Sequence, residues 1–136
     1  LQKPVFWQDK HVAPVIEALN RIFVESLCEK SIKEIIKNKS PNTDIKGFRG
    51  LKLLSVLLND VLKIDNSEEI MCPFFVLYDY RVVMCHLQSE ETFNKNMDSI
   101  YQRLGISDND KHHETVYVSI FELMKYSLSR VIEHIK

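Results

Sequence analysis

Three glycines and four prolines in 136 residues leave little material for turns. A sandwich or barrel of many short strands needs frequent turns, so this scarcity disfavours that class and favours a few long helices. Cysteine is also rare: Cys28, Cys72 and Cys85 are scattered and form no CxxC pair. An odd, dispersed set fits a reducing compartment such as the cytoplasm, with the thiols acting as small core residues. No apolar run reaches the roughly 18 residues of a membrane span. No stretch has the pattern of a secretory signal, and the opening LQKPVFW, without Met, fits a processed chain or a piece of a longer protein. Charge of one sign is lacking as well. Eighteen Lys and Arg stand against nineteen Asp and Glu, a net of −1. With no basic field over the whole domain, nucleic-acid binding would have to come from a local patch.

What is present is a helical pattern over the length of one domain. The hydrophobic fraction is 45% and the charged fraction 27%, a globular balance. A first helix is expected to start between Asp9 and Ala13, with Pro14 in its first turn, and to carry Ile16, Leu19, Ile22, Phe23 and Leu27 at helical spacing. Ile32, Ile35 and Ile36 continue that helix or follow a kink. The loop-like interval KNKSPNTDIKG (37–47) is not a domain boundary, because the 36 residues before it could not bury a core alone. Beyond Gly47, Leu51, Leu54, Leu57, Leu58, Val61 and Leu62 form a wide stripe. Asp65 or Ser67 is expected to cap a fourth helix that ends near Leu87, with Pro73 near its start. Ser89 caps a fifth, which carries Phe93, Met97, Ile100, Tyr101 and Leu104 and is stopped by Gly105. A sixth is expected over His112–Ile135, with Val118, Phe121, Met124, Leu128, Val131 or Ile132, and Ile135 on its stripe. FFVLYDYRVVM has strand-like composition, but a lone strand would have no partner, so helix is preferred. The expected fold is all-α: a five- or six-helix, mostly antiparallel bundle in a single domain, 1–136.

Few constellations in this chain carry chemistry. There is no Gly-rich phosphate loop, no HExxH and no GxSxG. The adjacent His112 and His113 would point about 100° apart on a helix. With Asp108 and Asp110 near but no third ligand at suitable spacing, they read as a polar helix start rather than a metal site. No metal and no cofactor is expected. His134, close to a helix C-terminus, is explained by the helix dipole, and His11 lies at the start of the first helix. Lys30, Lys33, Lys37, Lys39, Lys46, Arg49 and Lys52 form the densest basic stretch, either a solvated face or a local nucleic-acid patch.

The stretch YDYRVVMCHL (78–87) is the exception. One face of its helix reads Ile70, Phe74, Leu77, Tyr78, Arg81, Met84, Cys85, so an arginine falls among residues expected to be buried. Such an arginine is costly unless it meets an anion or an interface. His86 follows five residues later, about 140° around an ideal helix. The pair can converge only if the helix end distorts or a second copy of the chain supplies the partner. Asp79 points elsewhere.

Arg81 and His86, spaced R-VVMC-H, form the one R-x4–6-H pattern in the chain. In an otherwise helical sequence, near the end of a long helix in the second half, this resembles the signature of the HEPN superfamily. These are small all-helical domains often found in prokaryotic toxin–antitoxin and phage-defence systems. The resemblance implies a metal-independent endoribonuclease acting as a homodimer, with RNA as substrate and an antitoxin or larger defence complex as partner. It makes His86 the acid/base and Arg81 the phosphate clamp. Tyr78, one turn earlier, orients Arg81, touches a base as a substrate-binding residue, or packs in the core. The position after the arginine, polar in many members, is Val82 here. That favours an alternative: a non-catalytic dimerisation or protein-interaction module of the same fold. A third reading is an unrelated bundle, with Arg81 salt-bridged at the core edge and His86 at the helix end.

Overall fold

The computed structural model describes residues 9–86 and 88–135, with side chains for 12–86 and 88–134. The helices are α1 (Asp9–Asn20), α2 (Glu29–Lys39), α3 (Gly50–Val56), α4 (Ser67–Cys85), α5 (Glu90–Leu104) and α6 (His113–Ile135). α1 and α3 each run on through a wide π turn, Arg21–Glu25 and Leu57–Val61. These turns close with bonds from Ser26 N to Arg21 O (3.0 Å) and Leu62 N to Leu57 O (2.9 Å). No strand occurs among the described residues, and FFVLYDYRVVM is helical throughout. None of the helices, over the described residues, is long and apolar enough to cross a membrane.

The architecture is an all-α bundle organised around α4, which packs on α1, α5 and α6. Cys85, at the end of α4, meets Ala13, near the start of α1. Tyr80 meets His113 at the start of α6, while Leu77 lies further along that helix, beside Ile120 and Met124. Cys72 reaches Arg103 at the end of α5. All three neighbours therefore run antiparallel to α4. Ile70, Met71, Phe74, Val76, Leu77, Tyr80 and Val83 of α4 are buried in the main core, together with Val12, Ile16 and Leu19 of α1. A helix covered on several sides shows no single apolar stripe, which explains its near-uniform hydrophobic composition. A second, smaller core joins α2 to α3 through Ile32, Ile36, Leu53, Val56 and Leu57. One carboxylate ties the same two helices: Glu29 Oε1 accepts from Gly50 N and Arg49 Nε, both at 3.1 Å. It supplies α3 with an N-terminal acceptor from 21 residues away.

Several local expectations are corrected. Pro14 lies six residues into α1 rather than in its first turn, on the exposed side. Neither Asp65 nor Ser67 caps α4. The N-cap is Asn66 in left-handed conformation (φ 64°) with no side-chain bond, and Ser67 is the first helical residue, its hydroxyl donating to Asn59 Oδ1 at 3.1 Å. Pro73 lies near the start of α4, as expected, and the helix runs through it. α2 is a separate helix, and Ile22 in the π turn is 50% exposed. On α6 Val116, Tyr117, Ile120, Met124 and Ser127 are buried and the expected Phe121, Leu128 and Val131 pack beside them, but Val118 faces solvent. Tyr80 meets His113 at the start of this helix. Cys28 and Cys85 are exposed rather than core, and Cys72 is half-buried. The expected helix end near Leu87 and the place of Ile135 on the α6 stripe fall on side chains outside the described ones, as does His11; α4 itself ends at Cys85.

α5 follows its sequence signals closely. Thr92 N donates to Ser89 Oγ at 3.1 Å, and Glu90 and Glu91 occupy the first turn. At the other end Gly105 adopts φ 70°, with Ile106 N bonded to Tyr101 O (2.9 Å) and Gly105 N to Gln102 O (3.1 Å).

Candidate active site

The last turn of α4 sets the geometry of the Arg81/His86 pair. The helix stops at Cys85, and His86 takes an extended backbone (φ −118°, ψ 142°) while its N–H still bonds Val82 O at 3.2 Å. Leaving the helix swings the imidazole back over the preceding turn. Arg81 Nη1 thereby comes to 3.4 Å from His86 Nε2, a contact no regular helix could make at this spacing. A guanidinium has donors and no acceptor, so this bond requires the lone-pair nitrogen of a neutral imidazole at Nε2. The distance is at the long end for a hydrogen bond. His86 is exposed and Arg81 half-buried. Arg81 Nε is buried without a hydrogen-bond partner. The pair thus sets a guanidinium and an imidazole side by side at the rim of the bundle.

Cys85 lies beside them. Burial of its sulfur and the nearby Glu17 push the thiol up, and the opposing effect of Arg81 is smaller. A thiol so placed is a poor nucleophile at neutral pH. Val82 faces a different groove, with Asp79, Asn96, Ser99 and Arg103, and brings no polar atom toward the pair. Asp79 is taken by Arg103, Nη1 to Oδ2 at 2.8 Å.

Tyr78 is 44% exposed, so it is not a core residue. It projects from α4 into an open cleft that is also lined by Phe75, Phe48, Leu27 and Lys52. The structure therefore brings Arg81 and His86 together and leaves Tyr78 one turn away on the outer surface. His112 and His113 separate. His112 is exposed and bonds Thr115 Oγ1, whereas the His113 ring stacks on Tyr80 (centroids 5.9 Å) with Nδ1 at 2.5 Å from the phenol oxygen. No group of three or more His, Cys, Asp or Glu converges as a metal site among the described residues. His134 Nδ1 lies 2.8 Å from Arg130 O in the last turn of α6.

Two features were missed in the sequence. Tyr80–His113 is signalled only by a second stripe on α4, Val76, Tyr80 and Val83, hidden by the first. The cleft depends on Phe48, just before α3, and Phe75 of α4 lining one opening, which no local spacing encodes. Compared with protein-family models, curated proteins and solved structures, the chain matches none.

Proposed function

We propose that the chain is a HEPN-like domain whose Arg81/His86 pair cleaves RNA without a metal, in a homodimer, within a toxin–antitoxin or phage-defence setting. The observation that carries this reading is the approach of Arg81 Nη1 to His86 Nε2 at a helix end where the imidazole is exposed. A guanidinium beside an imidazole is suited to an anionic ligand. In this reading a ribose 2′-oxygen attacks the adjacent phosphorus, and His86 accepts the hydroxyl proton. The 5′-oxygen leaves with a proton from solvent or from the imidazolium of the second protomer. Arg81 holds the phosphate and offsets the added negative charge of the transition state. The products are a 2′,3′-cyclic phosphate and a 5′-hydroxyl. Tyr78 lies where it can touch a base of the bound strand.

A second reading, a non-catalytic dimerisation or interaction module of the same fold, is favoured by Val82, which supplies no polar group to the pair. RNA cleavage assayed with and without chelator, for the parent, His86→Ala and Arg81→Ala, separates the two. The first reading expects chelator-resistant cleavage that both substitutions abolish. An inert parent that still dimerises supports the second.

A further inference from the structure

The charge of this chain is unevenly placed. Between Glu29 and Lys52 there are seven Lys and Arg and three Asp and Glu, a local +4 in a chain of net −1. One of those three acids is already spent: Glu29 is held by Arg49 and Gly50 N, which keep its carboxyl below the usual carboxylate range. Lys30, Lys33 and Lys37 line one groove along α2 with Glu34 between them, and Glu29 forms a wall shared by that groove and the cleft in front of α4.

The cleft has a volume of about 780 Å³, within the ~300–1,000 Å³ range of small-ligand sites. Phe75 and Tyr78, three residues apart on α4, expose 37% and 44% of their surface there. Phe48 faces them with Lys52 Nζ over its ring, 5.4 Å from the centroid. Asp79 at the cleft edge is neutralised by Arg103, leaving Glu25 as the acid at this rim without an ion pair among the described residues. Exposed aromatic rings at one end and a row of lysines at the other match the two needs of a single strand: stacking faces for bases and cations for phosphates. Tyr78 is also one helical turn from Arg81.

We propose that this surface binds single-stranded RNA, with phosphates along Lys30, Lys33 and Lys37 and bases stacked on Phe75 and Tyr78, leading the strand to the Arg81/His86 pair. The destination of the strand rests on the ribonuclease reading; the binding surface does not. Binding is therefore tested apart from cleavage, by fluorescence anisotropy with a labelled 12-mer 2′-O-methyl RNA, which has no free 2′-hydroxyl to react. The expected result is binding that weakens steeply with salt and exceeds that of a duplex of equal length. The triple reversal K30E/K33E/K37E should flatten the salt dependence and weaken binding at least about tenfold. The pair F75A/Y78A should weaken it about tenfold with the salt dependence retained. All these side chains are on the surface, and circular dichroism checks that the variants fold. No binding by the parent at low salt overturns the proposal, even if RNA is cleaved. Affinity unmoved by either variant, or equal competition by polyglutamate, also overturns it. Binding with these dependences but no cleavage of ordinary RNA leaves the surface standing and removes the catalytic reading.

Discussion

Tyr80 and Arg81 are neighbours in sequence, and each meets a histidine, but the two pairs are built differently. Tyr80 is wholly buried, its ring stacked on His113 and its hydroxyl 2.5 Å from Nδ1. That contact ties α4 to the start of α6. Arg81 meets His86 loosely, at 3.4 Å, at an exposed helix end, and keeps a buried Nε without a partner. The first pair has the geometry of a structural contact, and the second is a looser one at the surface. One residue step, about 100° around α4, separates the two roles. Arg103 sharpens the contrast: an arginine kept for stability has its carboxylate, Asp79, at 2.8 Å.

The contrast can be broken most forcefully at Tyr80. Tyr80→Ala should lower stability by about 3–5 kcal/mol, as large-to-small core changes do, measured by urea unfolding. Tyr80→Phe keeps the ring and removes the bond to His113, and should cost about 1 kcal/mol in the same measurement. Asp79→Asn leaves Arg103 without its ion pair at a part-exposed position, with an expected loss of about 0.2–1 kcal/mol that shrinks with added salt. Glu29 gives a still smaller effect with a definite pH signature. Its folded pKa is lowered from 4.5 by Gly50 N and Arg49, so its contribution is present above that value and lost as pH falls through the lower, folded one. Glu29→Gln should therefore remove part of the acid dependence of unfolding below pH 4.5. At the bottom of the scale, Arg81→Met should leave stability within about 1 kcal/mol of the parent, on the stabilising side, since it removes a partly desolvated cation. His86→Ala should change it by no more than about 0.5 kcal/mol.

Legibility in the sequence followed how local each determinant was. α5 could be read from cap to cap because Ser89, the acidic first turn and Gly105 act within a few residues of the helix they bound. The all-α bundle followed from sparse turns and helical spacing. The start of α4 could not be read that way: Asn66 turns the chain through a left-handed backbone, and Ser67 spends its hydroxyl on Asn59 rather than on a cap. On α6 the expected Phe121, Met124, Leu128 and Val131 do pack on the core, and Val118 is the one described stripe residue that faces solvent. For the site, sequence named Arg81 and His86 and the condition under which they could meet. Whether the helix would end at Cys85 to let them meet depended on backbone geometry that spacing does not encode. Tyr78 was left open between core and surface, and the packing of α1, α5 and α6 around α4 leaves it outside.

The most direct test sets the two histidines against each other on one RNA substrate in excess chelator, comparing the parent with His86→Ala and His113→Ala under conditions where both variants are folded. The account predicts that the parent cleaves and leaves 2′,3′-cyclic phosphate ends. It predicts that His113→Ala is less stable yet still cleaves, and that His86→Ala keeps the parent's stability but does not. Cleavage retained by His86→Ala, or none by the parent, would contradict it.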